Sequence, residues 1–163
     1  MTAPTGGARS KTIATWLALL GGPLGLHRFY LHGFGDRWGW LLWPPTLAGA
    51  YGVQRMRAFG QDDQLAWLLI PLLGLVIAAT MLTAIVYGLT PDAKWTARHD
   101  PRGEALSSPW LNVLGAVAGL ALGATALIAT IAFMAQRFFE YRTLQQAAAT
   151  APPDQTKSQR LKR

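Results

Sequence analysis

The chain contains no cysteine. Disulfides, thiolate nucleophiles and cysteine-based zinc sites are therefore excluded. Charge is also scarce. Asp, Glu, Lys and Arg make up 14% of the 163 residues, against about 25% in an ordinary soluble domain. Surface that faces lipid needs no charge, so the deficit points to a membrane. Eight acidic residues face fifteen basic ones, for a net charge of +7. Nearly all of these charges flank long apolar stretches. That placement suits anionic lipid headgroups better than a nucleic-acid-binding stripe, which needs a basic face on a folded module. No nucleic-acid partner is expected.

What the chain has in abundance is hydrocarbon, at 51% hydrophobic residues. Four apolar runs cover residues 12–26, 38–54, 65–90 and 109–136. The last two carry no charge over more than the ~20 residues that cross a bilayer as helix. The second holds 17 uncharged residues, roughly 26 Å as helix, and contains Pro44 and Pro45. It is marginal alone, as is the first. Together they read as an antiparallel pair joined by HGFGDR, residues 32–37. The expected fold is all-α, with four transmembrane helices arranged as two hairpins. The first run follows Arg9 and Lys11 like a leader, but no small-residue cleavage site comes after it. It is read as a retained anchor.

The chain divides accordingly into a polar tail (1–10), a first helical hairpin (11–63) and a second hairpin (64–136) with a polar loop at 91–108. A juxtamembrane helix and a disordered basic tail follow (137–163). Trp38, Trp40, Trp43, Trp67 and Trp110 stand at the borders of the runs, where an indole keeps its ring in hydrocarbon and its N–H in water. Four spans put both termini on one side. Ten Lys and Arg on that side against five on the other favour cytoplasmic termini in a cell inner (plasma) membrane.

Gly25–His27–Arg28–Phe29–Tyr30 and Gly33 punctuate the first hairpin. An arginine at the bilayer centre costs ~2.5–3.5 kcal/mol on insertion scales. At the end of a run its stem lets the guanidinium reach the interface. Arg28 is expected there, anchoring the hairpin or gripping a lipid phosphate or a protein partner. Phe29 and Tyr30 are expected in the aromatic belt. His27 and His32 are five apart and diverge on a helix, so no metal pair is expected. His99–Asp100, with Asp92 and Glu104 nearby, lacks a nucleophile or pocket and reads as a solvated loop. Gly115, Gly119 and Gly123 recur every four residues, a small-residue face that packs helices in lipid, within the chain or in a homo-oligomer.

Lys11, Gly21–Gly22, Gly25, His27–Arg28–Phe29–Tyr30, Gly33, Gly49, Tyr51 and Gly52 together resemble the TM2 domain family over residues 11–63, about a third of the chain. His32 and Gln54 stand where that pattern often has Gly and Asp. The resemblance implies a membrane protein with two short spans joined by the HRFY turn. The expected function is non-catalytic, structural or interactive, with membrane lipids or a membrane protein as partner and no cofactor. An oligomeric small-solute or ion transporter is the alternative.

Overall fold

The computed structural model describes residues 8–61, 63–100 and 107–150, and the described residues are overwhelmingly helical, with no strand. Seven helices follow in order: α1 (Lys11–Gly21), α2 (Leu26–His32), α3 (Arg37–Leu41), α4 (Trp43–Phe59), α5 (Gln64–Leu89), α6 (Asp92–His99) and α7 (Pro109–Thr150). A single 3-10 turn, Gly22–Leu24, links α1 to α2.

The spine is α5 packed on α7. Both are apolar on every side, and both are long and apolar enough to cross a membrane. Only 28% and 11% of their most apolar stretches are buried. A core helix of a soluble protein would be mostly covered. Here Leu68, Leu82, Val86, Leu120 and Ile128 point outward. Between apolar helices in lipid there is no water to expel, so close backbone contact supplies the attraction. The α7 glycines provide it. A Cβ on Gly123 would lie 2.8 Å from Met81 Cβ, and one on Gly119 3.1 Å from the Met81 carbonyl oxygen. Gly115 instead meets Thr15 of α1. On the other flank of α5, Gly52 of α4 closes on Leu69 and Ile70. That contact adjoins buried Pro71.

The two remaining runs are not spans of the expected kind. Among the described residues two helices qualify by length and hydropathy, not four. The first run folds back on itself. Lys11 Nζ donates to the Thr90 carbonyl (2.6 Å) and pairs with Asp92 (2.8 Å). Eleven residues on, Gly22 packs against Thr80, where a Cβ would meet the threonine at 2.5 Å. The chain then reverses through Gly25 at φ 72°, a conformation that costs side-chain-bearing residues energy. α2 returns alongside α1, so Leu31 packs with Ala14 and Trp95. Gly21, Gly22, Pro23 and Gly25 are the cause, since none favours a continuing helix.

The second run is broken at Leu42 into α3 and α4. Pro44 and Pro45 fall in the first turn of α4, where a missing N–H costs nothing. The inward start of α4 also satisfies the carbonyls of the 3-10 turn. Thr46 Oγ1 donates to Pro23 O (2.7 Å) and Trp43 Nε1 to Leu24 O (2.9 Å).

The polar loop contains α6. Trp95 is 5% exposed and donates its indole N–H to Arg9 O. It packs against Tyr87 and His99. The described N-terminal residues therefore lie at the Thr90 end of α5. α7 starts at that end, with Ser108 N donating to Thr12 Oγ1. It runs the length of α5 to bring Arg137 over the Trp67 ring at 4.6 Å. Residues 8–10 and 137–150 thus sit at opposite ends of the spine, where an even number of spans had placed both termini together.

Candidate functional site

His27, Arg28, Phe29 and Tyr30 occupy one turn of α2. Successive residues on a helix point about 100° apart, so the four side chains reach four different elements. His27 is 2% exposed and meets the Tyr87 ring of α5 edge-on at 6.0 Å. Arg28 turns to the following loop and donates from Nε to Asp36 at 2.6 Å. Phe29 lies between Phe34 and Trp40 and over Gly39, whose Cβ position it would fill at 2.6 Å. Tyr30 accepts the Ser10 N–H at 2.9 Å. The motif is a hub that ties the returning helix to α1, α3, α5 and the turn between. Phe29 is buried against the exposed rings of Phe34 and Trp40. His32 stays exposed, with Nδ1 4.0 Å from Asp36.

Asp36 serves two groups. It pairs with Arg28 and accepts the Trp38 N–H at 3.3 Å, capping α3. The same construction recurs at the opposite end of α5. Arg55 Nε donates to Asp63 Oδ2 at 2.6 Å and Nη2 to Oδ1 at 3.2 Å. Asp63 caps α5 through the Leu65 N–H. Gly33 and Gly60, at φ 82° and 85°, each donate to the carbonyl four residues back. Trp40 Nε1 donates to Phe34 O, and Trp67 Nε1 to Gln61 O. Both turns therefore read Arg-x4-Gly-x2-Asp-x3-Trp, 27 residues apart. In each, a helix ends at a positive-φ glycine, an aspartate starts the next, and the arginine neutralises that aspartate. Sequence reading singled out Arg28 and missed Asp36, Arg55 and Asp63. The repeated spacing was the available signal.

Asp36 and Asp63 both titrate below the ordinary aspartate value of 3.8, first because each accepts a hydrogen bond from its arginine. Partial burial opposes the shift, and the capped backbone N–H assists it. A depressed folded value means that the stabilisation is complete above the ordinary value and is lost as pH falls through the folded one. The melting temperature in detergent is expected to hold from neutral pH to about pH 5 and then fall. The double variant Asp36→Asn, Asp63→Asn should melt lower throughout and lose most of that acid dependence. An unchanged acid limb in the double variant would assign the dependence to other carboxylates.

The remaining candidates resolve structurally. Gly115, Gly119 and Gly123 face α1 and α5 of the same chain. Gly123→Leu is expected to cost about 1–3 kcal/mol by overpacking and to leave the particle mass in mild detergent unchanged. A lower mass with an intact fold would show that the stripe joins two chains. The His99 ring lies tilted against Trp95 at 4.5 Å, and burial there pushes its pKa down. Asp92 is taken by Lys11, and Glu104 lies outside the described residues. No group of three potential metal ligands occurs among the described residues.

Two hollows lie along α5, one of them at the hub. One of about 250 Å³ is lined by His27, Arg28, Trp38, Leu41, Leu42, Ala79, Thr80 and Thr83. The other, about 430 Å³, is an apolar groove between α5 and α7. Comparison with protein-family models, curated proteins and solved structures gave no match.

Proposed function

We propose that the chain is a non-catalytic integral membrane protein of the TM2-domain type, in which the HRFY turn organises the hairpin and offers its contact surface to lipid or a membrane protein. The supporting observation is the uncovered apolar surface of α5 and α7 between two ionic turns. Trp67 and Tyr87 lie 20 positions apart on α5, about 30 Å of helix, which matches the hydrocarbon thickness. In this reading α5 and α7 cross the bilayer. The broken pair α3–α4 makes a third pass, and α1–α2 is a re-entrant hairpin, a form allowed at membrane depth where protein buries it. The membrane is the cell inner (plasma) membrane.

The test is recovery of the chain in the membrane fraction, resistant to carbonate and released by detergent, together with Arg28→Ala. That variant leaves Asp36 without its cation and should sharply lower the inserted amount. Parental abundance with a lost binding partner would make Arg28 a recognition residue and not an anchor. A second reading, an oligomeric small-solute or ion transporter, draws on the folded-back hairpin, since broken helices line transport sites. Solute flux in liposomes carrying the purified chain would favour it.

A further inference from the structure

The 250 Å³ cavity combines features that the hub's structural role leaves unused. Arg28 spends Nε on Asp36, which leaves the terminal nitrogens of its guanidinium for another acceptor. His27 lines the same cavity, is 2% exposed, and its Nδ1 has no hydrogen-bond partner. Trp38, whose indole can donate a hydrogen bond, also borders it. Thr80 and Thr83 donate to helix carbonyls at Ile77 and Ala79, so toward a ligand they are acceptors. Charged and neutral donors on one wall and hydroxyl acceptors on the other fit a phosphodiester whose headgroup carries hydroxyl or ammonium hydrogens.

The cavity does not stand alone. Ala79 borders both it and the apolar groove lined by Leu75, Ala78, Leu82, Gly123 and Leu127. Trp38 and Leu41 border both it and an outer hollow at Asp36 and Arg37. A mostly apolar chamber that carries Arg28 and two threonine hydroxyls thus has an exposed arginine at one border and the apolar α5–α7 groove at the other. We propose that this chamber binds the phosphodiester of a membrane glycerophospholipid, with one acyl chain laid in the α5–α7 groove. The proposal rests on the membrane reading above, and it commits to lipid because the chamber that holds Arg28 and the apolar groove share Ala79 as a lining residue.

The test uses the full chain, delipidated in mild detergent, with dioleoyl phosphatidylglycerol, dioleoylglycerol or inorganic phosphate added. Thermal stability and retained mass are the readouts. Phosphatidylglycerol is expected to raise the melting temperature and remain bound one per chain; the other two should do neither. Ala79→Leu, at the junction, should weaken phosphatidylglycerol binding about tenfold without changing the lipid-free melt. Trp38→Phe, which removes one donor and keeps the ring, should weaken it severalfold. Equal stabilisation by dioleoylglycerol would mean apolar adsorption, and equal stabilisation by inorganic phosphate a site for a free anion. Either result, or parental affinity in both variants, overturns the proposal. Fractionation of the same cells separates the two failures. A chain recovered without detergent in the soluble fraction defeats the membrane reading itself.

Discussion

Gly25→Ala is expected to collapse the α1–α2 hairpin, whereas Gly35→Ala, in the next turn, should melt like the parent. Two independent costs meet at position 25. The residue sits at φ 72°, and a left-handed backbone costs an alanine about 1–2 kcal/mol. Its Cβ would also lie 2.6 Å from the Gly39 carbonyl oxygen and 3.1 Å from Gly39 Cα. Those are backbone atoms, so no side-chain rotation relieves the contact. α3 must move away, and overpacking of this kind costs about 1–3 kcal/mol more. A total of about 3 kcal/mol is a large part of the stability of a small domain. Gly35 has open space where a Cβ would go. Thermal or denaturant unfolding in one detergent compares the two variants. Superimposable curves for Gly25→Ala and the parent would mean that α3 does not lie against the reversal.

The reversal is also where sequence reading stopped short. α5 and α7 were legible because an uninterrupted apolar run records the transfer free energy of a segment into lipid, and both runs exceed a bilayer's needs. The same measure carries no direction. Residues 12–26 have the hydropathy of half a span, and only Gly25's backbone angle and the Gly22–Thr80 contact show that the chain doubles back. The HRFY motif was legible as a site but not as a hub, because its side chains reach partners spread from Ser10 to Tyr87 and no linear spacing records those contacts. Trp95 illustrates the same limit. Its neighbours in sequence are polar, while its neighbours in space are Leu31, Ala14 and Tyr87. The ionic turns stood in plain view as a repeated Arg-x4-Gly-x2-Asp-x3-Trp spacing, though the residues between differ so much that no run of identity marks it.

In the proposed reading, with α1–α2 as a re-entrant hairpin, the fold-back changes the parity of the crossing, and that has an all-or-none consequence. A hairpin that enters and leaves by one face contributes no net crossing. With α3–α4, α5 and α7 as the passes, the N-terminal residues and the end of α7 emerge on opposite faces. The natural absence of cysteine makes this directly measurable. Ala8→Cys and Ala148→Cys, both at exposed positions, are to be probed separately in intact cells with a membrane-impermeant thiol reagent. One position alone is expected to label. The Lys11 end carries Arg9, Lys11, Arg28, Arg37, Lys94 and Arg98, against Arg55, Arg57, Arg137 and Arg142 at the other. Basic residues near helix ends favour the cytoplasm, so position 148 should be the one that reacts. Reaction at position 8 alone would keep the three-pass topology and invert it, placing the HRFY hub and its cavity at the outer leaflet. Labelling of both positions, or of neither until the cells are opened, would restore an even number of crossings, either because residues 12–32 also traverse the bilayer or because α3–α4 does not.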